Sequence, residues 1–263
     1  MDNHGWRKIF HHPEGTRSGP SKLGINFVVA SAPTRPYKFS TSTTLPIAQS
    51  LDSSHDLSQC MGVGAVVWDA GDLLCDFMCH PANSQQYIHN KTVLDLGSGT
   101  GVCGIVAAAN GAKQTWLTDV KSLKGLNMNN LNMAREAFFA AGDEPAAVRG
   151  LENTDFASYW WGTELPEELH LAENKFYDVI IASDDLYDDD AFPPLLASLK
   201  LLVGPTTTVL FSYKRRMDSR EVPFFEKLST ILDLRVDTHF GDKKYNETYI
   251  VVGRRLHTGP ILG

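Results

Sequence analysis

The chain has 263 residues, 43% of them hydrophobic, and a formal net charge of -7. That length buries one good core, and the negative balance excludes a global electrostatic attraction to nucleic acid or to an anionic membrane. No apolar run reaches membrane-spanning length, and Met1–Trp6 is polar without an apolar signal core, so the expectation is a soluble intracellular monomer of the cytoplasm, with the nucleus as a second address.

Residues 1–22 are rich in His, Gly, Ser, Pro and Lys without periodicity, which predicts a flexible tail. Residues 23–55 read as an N-terminal β extension. Ile25, Phe27 and Val29, then Tyr37, Phe39, Leu45 and Ile47, alternate as a hairpin apart from the main sheet, and Asp52–Asp56 is a polar break. One domain is expected over 56–256, followed by a tail at 257–263. Within it, Leu73, Leu74, Phe77 and Met78 follow the i, i+1, i+4, i+5 pattern of a helix with one buried face, ended near His80-Pro81. Trp68 at its start is either core or the floor of a ligand pocket. Cys60, Cys75, Cys79 and Cys103 form no C-x-x-C pair, so thiols of a reduced compartment are expected rather than a metal site.

The chain is organised around the next stretch. The apolar run Val93–Leu96 gives way to Gly97, Gly99 and Gly101, and a small-residue apolar segment then stops at Asn110-Gly111. This predicts a buried strand, a glycine loop and a helix. Trp116–Asp119 reads as a second strand ending in an acid. A helix is expected over 121–141, with Leu123, Leu126, Met128, Leu131, Met133 and Phe138 as its apolar positions, ended by Gly142–Pro145. Ala146–Trp161 reads as a third strand leading into Tyr159-Trp160-Trp161-Gly162, and Glu164–Glu173 as a short surface helix. Phe176–Ser183 is a fourth strand running into Asp184–Asp190. A helix over Phe192–Leu202, with Pro193 and Pro194 in its first turn, a strand over Thr206–Tyr213 and a helix over Val222–Leu232 follow. Strands near Leu234–Phe240 and Thr248–Gly253 complete the pattern. Such alternation is that of an α/β, Rossmann-like, doubly wound parallel sheet. Lys214-Arg215-Arg216 is either a solvated turn or a contact for an acidic substrate surface.

Two ligands compete for the glycine loop. Gly99-Thr100-Gly101-Val102-Cys103-Gly104 satisfies G-x-G-x-x-G, and Asp119 lies at a suitable distance for a ribose, which permits NAD. Asp95, just ahead of the glycines, argues otherwise, because a carboxylate there repels a pyrophosphate. It suits S-adenosylmethionine, whose sulfonium and amino groups are cationic, and Asp119 then accepts from both ribose hydroxyls.

Asp95–Gly101, Val66-Val67-Trp68-Asp69-Ala70, Trp160-Trp161-Gly162 and Asp184-x-x-Tyr187 together resemble the seven-strand protein-lysine methyltransferases of the methyltransferase-like 21 group, over roughly residues 60 to 255. Within that group the chain is most similar to the enzymes acting on valosin-containing protein and on elongation factor 1 alpha. The resemblance implies a seven-stranded sheet, mostly parallel with an antiparallel last strand, S-adenosylmethionine as cofactor, and a non-histone protein presenting a lysine as partner. It implies that Gly97, Ser98, Gly99, Gly101 and Ser183 contact the cofactor, Asp119 its ribose and Trp161 its adenine region, with Trp68 and Asp95 lining the pocket. Relatives often have Glu where Asp95 stands, and usually Ala-Asp-Cys or Ala-Asp-Ile where this chain has Ser183-Asp184-Asp185. The extra acid, Asp185, bears on the substrate pocket, so substrate identity is not carried over with the fold.

Asp184 and Tyr187 fall just past the carboxyl end of the fourth strand. Methyl transfer is an in-line displacement whose main demand is to hold the amine at near-attack distance, so both are expected to position a lysine rather than to act as general bases. Asp188–Asp190 fit a solvated helix N-terminus. A Mg²⁺ site lacks further ligands, and base methylation lacks its Asn/Asp-Pro-Pro-aromatic loop. The remaining rivals are a small-molecule N- or O-methyltransferase and a non-catalytic interaction module.

Overall fold

The computed structural model describes residue 7 and residues 32–50, 64–142, 145–172, 175–237 and 247–256. The 1–22 tail (residue 7 aside), Ile25–Val29, the break at Asp52–Asp56, Cys60, the end of the strand at Phe240 and the 257–263 tail lie outside the described residues.

Strands β1 (Thr34–Lys38) and β2 (Thr44–Ala48) form an antiparallel hairpin of their own. The main sheet is built from β3 (Thr92–Leu96), β4 (Gln114–Asp119), β5 (Thr154–Ser158), β6 (Val179–Ser183), β7 (Thr208–Lys214), β8 (Leu232–Asp237) and β9 (Thr248–Arg255). Its order is β5-β4-β3-β6-β7-β9-β8, and β9 alone runs antiparallel to its neighbours. The chain winds outward from β3 to β5 and then returns to lay β6 on the other side of β3. That reversal opens a crevice at the strand carboxyl ends, where ligands bind in such sheets.

The helices are α1 (Asp69–Cys79), α2 (Val102–Ala109), α3 (Lys124–Ala141), α4 (Pro145–Glu152), α5 (Phe192–Leu202) and α6 (Asp218–Leu228). The two-residue period of the strands divides the core. Val93, Val179 and Ile181 face a layer with α1, α2, α3 and the hairpin, whereas Leu94, Leu96, Ile180 and Ala182 face α5 and α6. Each fully buried aliphatic or aromatic side chain of this kind contributes roughly 1.5–3 kcal/mol.

Local departures from the sequence reading have physical causes. Residues read as part of the third strand form α4, because Ala147, Gly150 and Leu151 share a buried helical stripe. A Cβ at Gly150 would run into the carbonyl of Ala108, so this glycine is what lets α4 lie against α2. In α3 the buried face is Asn127, Asn130, Leu131, Ala134 and Phe138, and Leu126, Met128 and Met133 are only partly covered. Helix α6 starts at Asp218, earlier than Val222, since the Glu221 carboxylate reaches back to the N–H groups of Arg216 (3.1 Å) and Met217 (2.9 Å). Pro81 ends α1 with His80 extended but itself opens a new turn, so helical backbone resumes through Ile88. Of the stretch read as a short surface helix, the described residues 164–172 contribute only a 3-10 turn at Glu167–Leu169.

The hairpin is fastened to the domain rather than trailing from it. Leu45 and Ile47 are fully buried, Arg35 pairs with Asp72, and Asn130 exchanges hydrogen bonds with the Ala48 N–H (2.8 Å) and C=O (3.0 Å).

Candidate active site

The carboxyl ends of β3, β4 and β6 open into a cleft of about 310 Å³, within the size range of small-ligand sites. After β3 the chain turns through Gly97 at φ 81° and Gly99 at φ 57°, backbone that glycine adopts without strain. Helix α3 braces this loop from behind. Asn127 Nδ2 donates to the Gly99 carbonyl (2.8 Å), its Oδ1 accepts from Ser98 Oγ (2.8 Å), and Asn130 Nδ2 donates to the Thr100 carbonyl (2.8 Å). Of the glycines expected at the ligand, Gly101 is not on the cleft wall. It is the N-cap of α2 and faces Asn127, so it serves the turn and not the pocket surface.

Backbone donors of the loop are already engaged by carboxylates. Asp95 Oδ2 accepts from the Gly104 N–H (2.8 Å) in the first turn of α2, and Asp119 accepts from Gly99 N–H (2.8 Å) and Val120 N–H (2.7 Å). A phosphate at a helix N-terminus needs such groups free. Here the Gly99 and Gly104 N–H groups are taken, and the acids taking them would repel it. The cleft suits a cation-bearing ligand without phosphate, which decides against a dinucleotide.

Burial pushes the Asp95 carboxyl up to about 7, with the Gly104 hydrogen bond opposing and the Asp119 charge adding. Asp119 is raised by burial against its two N–H donors, and Asp185 is raised well above the usual range by burial and by the acids around it. Each of these carboxyls holds its proton more tightly folded than unfolded. Their stabilising contribution is therefore complete below about pH 4 and is lost as pH rises through the folded pKa. The ligand-free protein is expected to lose stability from this source between about pH 4 and pH 7, by at most about 1.4 kcal/mol per pH unit for one group. Urea unfolding at several pH values checks this: Asp95→Asn should flatten the slope, and an unchanged slope would contradict the assignment.

Asp184 sits at φ 61° directly after β6, a left-handed position rare for a residue with a side chain. Its N–H donates to the Ser212 carbonyl (2.9 Å). Both carboxylate oxygens are gripped by the Arg216 guanidinium, at 2.8 and 2.6 Å, and the carboxylate side chain is only 2% exposed. The basic run is thus neither of the two things the sequence left open. Arg216 locks Asp184 and lies over the Trp68 ring at 5.7 Å, Lys214 pairs with Asp69 at the start of α1 (2.9 Å), and Arg215 pairs with Asp218 (2.6 Å).

Trp68, Trp161 and Ser183 line the same cleft as Asp95, Gly97, Ser98, Gly99 and Asp119. Ser183 Oγ accepts from Ser212 Oγ (3.0 Å). The Trp161 segment is stapled to α5 by Ser198, whose Oγ accepts from the Tyr159 hydroxyl (2.9 Å) and the Gly162 N–H (2.8 Å). Tyr187 and Trp160 stand at the mouth, 46% and 60% exposed. Asp188 caps the turn Asp189–Ala191 and Asp189 pairs with Arg220 (3.1 Å), the solvated role expected for these acids. Sequence reasoning assigned no site role to Arg216, Asn127 or Asn130, and tied Asp185 to the substrate pocket, whereas Asp185 lies on the wall with Gly97 and Trp161. A signal existed for the asparagines: they sit three apart on what is otherwise the buried face of α3.

Known proteins resemble the chain over most of its length. Residues 48–231, well over half of the chain, match the model of a family described as lysine methyltransferase. Protein N-lysine methyltransferase METTL21A of Danio rerio is 31% identical over 201 residues, covering 75% of this chain and 81% of the relative. EEF1A lysine methyltransferase 3 of Xenopus tropicalis is 29% identical over 171 residues, covering 64% and 65%. Among solved structures, a TehB-like SAM-dependent methyltransferase from Corynebacterium glutamicum superposes with a TM-score of 0.45 at 12% identity, over 76% of this chain and 94% of that one. The chain belongs to the lysine methyltransferase family.

Proposed function

We propose that this protein transfers the methyl group of S-adenosylmethionine to a lysine side chain on a folded, non-histone protein, of the elongation-factor or AAA/chaperone-ATPase kind. One observation carries the donor: buried carboxylates line the cleft and hold the Gly99 and Gly104 N–H groups, and Asp95 Oδ1 and Asp185 Oδ2 are buried without hydrogen-bond partners. Such atoms are costly to leave unmatched, and a ligand with cationic centres and no phosphate matches them. When bound, the donor supplies a methyl group on a positively charged sulfur.

The residues present fit that group. Gly97 and Gly99 leave room that a Cβ would fill, with a Cβ at Gly99 reaching 2.7 Å from the Gly64 carbonyl. Asp119 keeps lone pairs for the ribose hydroxyls beyond the two N–H groups it accepts. Trp161 and Trp68 supply flat apolar walls. Tyr187 offers its ring to the incoming ammonium and amine. Asp184 orients that amine, and the Arg216 pairing answers a difficulty: a bare carboxylate would favour the charged ammonium, whereas a neutral amine is the nucleophile. Offset by a guanidinium, Asp184 holds geometry without holding the proton on the lysine.

The half-exposed Tyr187 and Trp160 leave the mouth open to a protein surface, which favours a protein acceptor over a small molecule. Transfer of labelled methyl from S-adenosylmethionine to proteins of a cell lysate tests the reading. Asp119→Ala and Asp184→Asn should each reduce incorporation by about tenfold or more. Undiminished transfer in both would sink the site assignment, and wild-type protein that neither binds the donor nor labels any protein would favour an interaction module.

A further inference from the structure

Asp185 follows Asp184 directly, yet its surroundings are the opposite. It is 4% exposed, lines the cleft, and its Oδ2 makes no hydrogen bond. A Cβ on Gly97 would stand 2.7 Å from its Oδ1 and 2.7 Å from Trp161 Cζ2, so the carboxylate, the first glycine and the indole edge meet at one point of the wall. The titratable groups facing it are Asp95 from β3, Asp119 from β4, Cys103 from α2 and Asp184 beside it. Nearby cations are committed elsewhere, Arg216 to Asp184 and Lys214 to Asp69. A buried acid among like charges stays protonated until a cation arrives.

We propose that Asp185 is the counter-charge to the sulfonium of S-adenosylmethionine and makes the cleft prefer this cationic donor over its neutral product, S-adenosylhomocysteine. The inference rests on the methyl-donor reading above. The sulfonium, rather than the α-ammonium, is assigned because Asp185 shares the cleft wall with Asp184 and Tyr187, the residues given to the acceptor amine. The free oxygen of Asp95 is Oδ1, the one turned away from the Gly104 N–H that Oδ2 accepts, and is left for the amino-acid end. Donor binding then ionises Asp185, releasing its proton to solvent. Once the methyl has left, the sulfur is neutral and nothing holds the product by charge at this point.

Isothermal titration calorimetry with two probes decides it: sinefungin, which carries an amine cation where the donor has its sulfonium, and S-adenosylhomocysteine, which carries no charge there. Titrations at pH 7 in two buffers of different ionisation enthalpy read affinity and proton release together. Wild type should prefer sinefungin and release protons on binding it. Asp185→Asn should lose about tenfold or more in sinefungin affinity, about one unit of pKa-equivalent interaction, while S-adenosylhomocysteine stays within about threefold and the excess of buffer-dependent heat for sinefungin over S-adenosylhomocysteine disappears. Equal losses for both probes would place the carboxylate at the α-ammonium they share and overturn the assignment, as would unchanged affinities. Failure of both probes to bind wild type is a separate result that overturns the donor reading itself. Melting curves of Asp185→Asn and Asp185→Ser guard against misfolding, and a sinefungin-specific loss in whichever variant melts like wild type supports the inference.

Discussion

Arg216→Met is expected to lower folding stability by about 3–5 kcal/mol, the loss found when one member of a buried ion pair is removed. The pair is nearly dry, with side-chain exposures of 12% for Arg216 and 2% for Asp184. Deleting the guanidinium strands a buried charge at a residue whose backbone is already at φ 61°, and it removes the cation over Trp68. Methyl transfer should fall further than stability alone explains. An unpaired Asp184 would hold a lysine in its charged form, so residual activity should rise toward alkaline pH. Adding Asp184→Asn should restore much of the stability and little of the activity. Urea denaturation and a pH-rate profile check both halves; a wild-type midpoint for Arg216→Met would show that the pair contributes nothing.

The second large effect is expected at Gly97. Alanine there forces a side chain into backbone at φ 81°, at a cost of about 1–2 kcal/mol. It also places a methyl 2.7 Å from Asp185 Oδ1 and Trp161 Cζ2. Neither neighbour is the loose end of a long side chain, so the wall must shift into the space a ligand would use. Gly142→Ala isolates the backbone part: Gly142 has φ 66° as the cap of α3 and nothing within 4 Å of its added Cβ. Both variants should lose the backbone share of stability, and Gly97→Ala the cost of moving the wall as well. Only Gly97→Ala should lose donor binding, by about a hundredfold or more if the clash costs about 3 kcal/mol. Comparable donor affinity in the two variants would show that the wall yields.

What could be read from the chain and what could not separate along the range of the interactions. Asp95–Gly101 is contiguous, so its strand, turn and helix start are set by neighbours, and the alternation from Thr92 onward carries the sheet. Asp119 and Trp161 were legible as a strand end and a motif. Arg216 was not, because its meaning lies 32 residues away in Asp184, and a basic run beside a strand end ordinarily faces water. Asn127 and Asn130 escaped for a related reason. A polar residue in a helix reads as its solvent side until the tight loop Ser98–Thr100 is seen to take donors and acceptors from it. Helix α4 escaped because it is short and its buried stripe, Ala147, Gly150 and Leu151, carries one large apolar side chain.

Strand β9 slips between β7 and β8, with Lys214 opposite Thr248 and the Arg215 N–H on the Glu247 carbonyl at 2.9 Å. A ribosome makes β9 after every other strand described here. While the nascent chain grows, β7 therefore presents an open edge and β8 has no strand to pair with, the condition in which sheets recruit the wrong neighbour. The stretch carrying Lys214, Arg215 and Arg216 leaves the end of that same unfinished edge, so the charged lock on the cleft is assembled next to the last seam of the molecule to close. Biosynthesis thus leaves the catalytic end of this sheet for last.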